Sequence, residues 1–95
     1  MDNIVITAIL RAKKGHENDL LKAMKQVVSP SQKESGCITY QLHQSRDEDG
    51  VFVIYEIWQD EESLQQHIAS DHYKAYRLEA EAYAESREVH RLKVV

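Results

Sequence analysis

The sequence predicts an α+β domain, an antiparallel sheet with helices on one face, in the order β-α-β-β-α(α)-β. Three observations predict it. Runs with a period of two alternate with runs of helical period. The few breaker residues, Gly15, Pro30, Gly36 and Gly50, fall between these runs. Two of the strands are apolar on both faces, so both faces need cover.

Residues 3–11, NIVITAILR, are rich in β-branched side chains and read as a strand, closed by a turn at Lys13-Lys14-Gly15. From His16 to about Ser29, Leu20, Leu21, Ala23, Met24, Val27 and Val28 form one helical face. Pro30 lacks a backbone donor and predicts a kink or break near residue 30; Ser31–Ser35 are able to continue a last turn, which Gly36 would then close in the left-handed conformation. Residues 37–45 alternate, with Ile38, Tyr40 and Leu42 opposite Thr39, Gln41 and His43. The polar turn at residues 46–50 joins them to a third strand, residues 51–58. Asp60 is a natural N-cap for a short helix with Leu64, His67 and Ile68 on one face. Ser70-Asp71 starts a second helix over roughly 71–85, carrying the stripe Tyr73, Tyr76, Ala80, Tyr83 and Ala84. Residues 88–95 read as a weak last strand.

Ninety-five residues make one domain, spanning residues 1–95. With 42% hydrophobic and 29% charged residues the composition is that of a globular protein. A net charge of −4 argues against a nucleic-acid partner, and no apolar run is long enough to span a membrane. No basic region precedes the first apolar run, and the single cysteine, Cys37, has no partner for an internal disulfide. A cytoplasmic location is expected.

The third strand places Phe52, Ile54, Glu56 and Trp58 on one face and Val51, Val53, Tyr55 and Ile57 on the other. In the first strand Ile4, Ile6, Ala8 and Leu10 oppose Val5, Thr7 and Ile9. The helices cover one face. The other predicts a homodimer joined through the sheet, with His43 at the interface if that face meets the partner.

Glu56, beside Phe52, Ile54 and Trp58, is either a desolvated proton acceptor below the helices or the partner of a nearby cation. Trp58 is either the wall of an aromatic pocket or core. His67, inward on its helix, is either an acid–base group or a satisfied core residue, and Tyr76 adds a phenol. His67 and His72 are five apart, unlike two ligands on one helical face, so no metal is expected. No Gly-rich phosphate loop, GxSxG, CxxC or HExxH motif is present. His16 and His90 read as surface.

Gly36-Cys37-Ile38-Thr39-Tyr40-Gln41-Leu42 resembles the GC-x-x-Y-x-L hairpin opening of the antibiotic biosynthesis monooxygenase family. Phe52–Trp58 is similar to its F-x-x-x-E-x-W strand, and Leu64–Tyr73 to its L-x-x-H-x-x-S-x-H-F/Y helix pair. The resemblance covers about residues 4–80. It implies a ferredoxin-like fold, a dimeric α/β barrel, and a pocket between sheet and helices in each subunit. It also implies oxidation of a quinol-like or phenolic substrate with molecular oxygen and no metal or flavin. Glu56, His67 and His72 are then the candidate catalytic residues, and Trp58, Tyr76, Phe52 and Arg77 the candidate substrate contacts. Heme-degrading relatives carry a histidine ligand where this chain has Arg77, so heme is not expected. A branch acting on a phosphorylated signalling metabolite without oxygen implies a cationic clamp, for which Arg77 or Lys74 is suited. A non-catalytic ligand-binding dimer is the third alternative.

Overall fold

The computed structural model describes residues 3–95; Met1 and Asp2, the first two positions of the predicted domain span, lie outside the described residues. The elements are β1 (Ile4–Ala12), α1 (Glu17–Gln32), β2 (Cys37–Gln44), β3 (Val51–Trp58), α2 (Glu61–Ile68), α3 (Asp71–Tyr83) and β4 (Ala84–Leu92). The sheet order is β2-β3-β1-β4, with every neighbouring pair antiparallel. This is the split βαβ, ferredoxin-like arrangement. No helix among the described residues is long and apolar enough to cross a membrane.

Helices cover one face of the sheet over β1 and β3. Leu10, Phe52, Ile54 and Trp58 pack against Leu20, Met24 and Val27 of α1, with Leu64, Tyr76 and Ala80 from the other helices. Each of these side chains is buried. The opposite face, with Val51, Val53, Tyr55 and Ile57 from β3 and Val5 and Ile9 from β1, is only half-buried in the single chain.

Three local readings change, and one is decided between its alternatives. At Pro30 the helix continues into a last turn, because α1 runs on to Gln32. So close to the C-terminus the missing donor costs one bond, and the chain tightens through Lys33 N–H to the Pro30 carbonyl (3.3 Å) and Glu34 N–H to that of Ser31 (3.1 Å). Gly36 is not left-handed; among the described residues only Gly15 and Gly50 have positive φ. Gly36 is needed for space, since a Cβ there would stand 2.0 Å from Ser63 Oγ, in the first turn of α2. Ile38 leaves the inward face: the register slips between Cys37 and Thr39, and the displaced side chain is 54% exposed. The last strand starts at Ala84, directly after α3, four residues earlier than its apolar pattern indicates. It is an edge strand held by backbone pairing to β1, which needs no apolar side chains.

Candidate active site

The short helices are cut where their caps demand. Asp60 Oδ1 accepts from Ser63 N–H at 2.8 Å to start α2, and Ser70 Oγ accepts from Tyr73 N–H at 3.2 Å to start α3. The break between them matters chemically. It takes His67 and His72 off a common helix and lets them converge on one carboxylate, Glu34, in the turn after α1. His67 Nδ1 lies 2.7 Å and His72 Nε2 2.8 Å from Glu34 Oε2. A carboxylate oxygen accepts, so each imidazole donates. His67 thus carries its proton on Nδ1, and its Nε2 is a buried nitrogen without a protein partner among the described residues.

The five-residue spacing therefore does not separate the two histidines, as it would on one continuous helix. With Glu34 they form a donor set whose ligand atoms all lie within 4.8 Å of one another. Their separations of 2.7 and 2.8 Å are those of hydrogen bonds. Ligands of a tetrahedral Zn²⁺ stand roughly 3.3 Å apart, so the carboxylate would have to withdraw to admit an ion.

Aromatic rings pack around His67. The Trp58 ring centroid is 4.5 Å away, that of Tyr73 4.9 Å and that of Tyr40 5.3 Å. Burial pushes the His67 pKa down from its ordinary value, while the Glu34 carboxylate works the other way. Glu56 is 5% exposed and accepts the Trp58 indole N–H at 2.9 Å. Desolvation lifts its carboxyl to about 7, against the opposing pull of the indole bond and Arg87. Burial likewise raises the Tyr76 phenol to about 12 and the Cys37 thiol to about 11, so neither is readily ionised at neutral pH.

A cavity of about 160 Å³ lies between the sheet, α2 and α3. Glu56, His67 and Tyr76 line it, with Ile6, Ala8, Leu64, Gln65, Ile68, Tyr73, Val89, Arg87 and Arg91. Three of the seven predicted site residues therefore share this cavity. Trp58 is fully buried and absent from the lining, donating to Glu56 and packing its ring at a tilt against His67. Phe52 is core, away from the cavity lining. His72 meets His67 through Glu34. Arg77 sits with its guanidinium carbon 5.9 Å from the Tyr76 ring centroid and, like Lys74, is absent from the lining.

Glu34 and Arg87 have no counterpart in the sequence reading. Glu34 lies in a polar run whose only pattern was a frayed helix end. Arg87 lies in a strand segment with too little apolar character to be recognised.

The family model described as antibiotic biosynthesis monooxygenase matches residues 3–78. The chain belongs to this family. Among solved structures, PA3566 from Pseudomonas aeruginosa superposes with a TM-score of 0.95 at 27% identity, covering 100% of this chain and 96% of that one. YcnE of Bacillus subtilis, whose name proposes it as a monooxygenase, is 27% identical over 73 residues, 77% of each chain. The uncharacterized protein sll1783 of Synechocystis is 24% identical over 75 residues. That match takes in 79% of this chain but 51% of the relative, so this family member spans about half the length of sll1783.

Proposed function

We propose that this protein is a cofactor-independent monooxygenase of a small quinol-like or phenolic substrate, working as a homodimer joined through the open face of its sheet. One observation carries the catalytic reading: a buried histidine on the cavity wall whose Nδ1 is held by Glu34 and whose Nε2 has no protein partner. That is a base with its tautomer fixed from behind.

The chemistry follows from these groups. His67 Nε2 takes the phenolic proton, and the electron-rich phenolate passes one electron to molecular oxygen. The radical pair combines to form a carbon–oxygen bond at the ring. The O–O bond then breaks, leaving one oxygen on the ring and releasing the other as water. A quinol and O₂ thus give a hydroxyquinone and water, with the phenolic and ring protons ending in the water. Glu56, lifted to about 7 and with one oxygen already engaged by Trp58, supplies a proton to the departing oxygen. Tyr76 and Tyr73 flank the ring.

The dimer is supported by the half-buried apolar side chains on β1 and β3. Taking each from half-buried to buried contributes roughly 0.7–1.5 kcal/mol, and the two subunits supply such side chains together against an association cost of about 4–15 kcal/mol.

The test is oxygen uptake by chelator-treated protein across a panel of quinols. We expect uptake with at least one, reduced at least about a hundredfold in His67→Ala. No uptake with any member, or full activity in His67→Ala, overturns the reading. The pH profile adds a second check. Activity should fall as pH rises through about 7, where Glu56 loses its proton, and Glu56→Gln should abolish that limb.

A further inference from the structure

The edge strand β4 is exposed along almost its whole length, yet it contributes three residues to the cavity, Arg87, Val89 and Arg91. The register explains this. Arg87 pairs with Leu10, Val89 with Ala8 and Arg91 with Ile6, and those β1 partners all face the helices. Alternate residues of a strand share a face. Two arginines are therefore set on the inward side of a strand, a position at which packing alone favours apolar residues.

Their pairing is unequal. Arg91 forms an ion pair with Glu61 at the outer rim. Arg87 donates to the Tyr73 hydroxyl at 3.1 Å, and no carboxylate among the described residues lies within ion-pair distance of it. Glu56 senses its charge without forming a contact pair. With Arg91 neutralised by Glu61, the cavity wall holds about one uncompensated positive charge, offset in part by Glu56. That balance suits a monoanion. A dianion would exceed the single positive charge that Arg87 leaves uncompensated.

We infer that the substrate is a phenol bearing a carboxylate, and that Arg87 is the residue that binds the carboxylate. A guanidinium fork matches a planar carboxylate with two parallel hydrogen bonds. The apolar wall of Ile6, Ala8 and Leu64 takes the ring, and Arg91 contributes less because Glu61 already holds it. The inference rests on the proposed function for the location of the ring, and names the substrate class for that cavity.

The test is equilibrium binding by calorimetry under nitrogen, so that it reads no turnover. Three probes share one ring: para-hydroxybenzoate, the neutral isostere para-hydroxybenzamide, and para-hydroxyphenyl phosphate. The carboxylate should bind at least about tenfold more tightly than the amide, and added salt should narrow the gap. Arg87→Gln should remove the preference, weakening carboxylate binding more than amide binding. Arg87→Lys should keep part of it, and Arg91→Gln should reduce it less than Arg87→Gln. Equal affinity for carboxylate and amide, a preference that survives Arg87→Gln, or no binding of any probe overturns the inference. Tighter binding of the phosphate overturns the monoanion assignment and favours a phosphorylated substrate. If the carboxylate preference holds while no quinol consumes oxygen, the subsite stands and the oxygenase reading falls.

Discussion

β3 shows two halves of the molecule on one strand. Its inner side chains, Phe52, Ile54, Glu56 and Trp58, are 1%, 1%, 5% and 0% exposed. Its outer ones, Val51, Val53, Tyr55 and Ile57, are just as apolar and remain half-buried. Hydrophobicity alone does not separate the two faces. The difference lies in what covers them: helices of the same chain on the inside and, by the proposed function, a second copy on the outside. The inner face also holds the strand's one carboxylate, which shows that a polar group can be kept under helices when an indole N–H satisfies it.

The largest break in this comparison comes from Phe52→Ala. It should cost about 3–5 kcal/mol in chemical denaturation, at any protein concentration, because the helix layer is part of the same fold.

Glu56→Gln sharpens the contrast through pH. The Glu56 pKa is raised in the fold, so the folded protein holds a proton that the unfolded chain releases first. The stability this confers is fully present below the unfolded carboxyl value. It is lost as pH rises through about 7. The wild type should therefore lose up to about 3 kcal/mol relative to Glu56→Gln between pH 5 and 8, read by denaturation at both values.

Gly36→Ala tests how closely the helix layer approaches. The added Cβ meets Ser63 Oγ and Cβ at 2.0 and 2.3 Å, so a loss of about 1–3 kcal/mol is expected, with partial recovery in the Ser63→Gly double variant.

The smallest effect on the fold should come from the outer face. Val53→Ala is expected to cost less than about 1 kcal/mol in the isolated subunit, because the side chain is only half-buried there. It should instead lower the fraction of dimer in sedimentation. A wild-type particle of 11.0 kDa at micromolar concentration would leave the outer face without its proposed partner.

Much of this was legible in the residues. The alternation of residues 51–58 fixed which β3 side chains face the helices, and the Asp60 and Ser70 caps fixed where α2 and α3 begin. That His67 is inward follows from its place beside Leu64 on a short amphipathic helix. Hidden were the features built from contacts distant in sequence. Glu34 lies 33 residues from His67 and 38 from His72, and no local period announces such a meeting. Ile38 left its predicted face because of a bulge, which is set by pairing with β3 and not by its own side chain.

Amino-acid order by itself determined the strand and helix types, the two apolar faces of the sheet and the family. These depend on spacing and side-chain chemistry over a few neighbouring residues. Only the tertiary structure decided that two histidines from separate helices share one carboxylate oxygen, that Trp58 supports Glu56 from behind, and that an edge strand turns Arg87 into the cavity. Each of these depends on strand register and the angle between packed elements. Both are set by the chain as a whole.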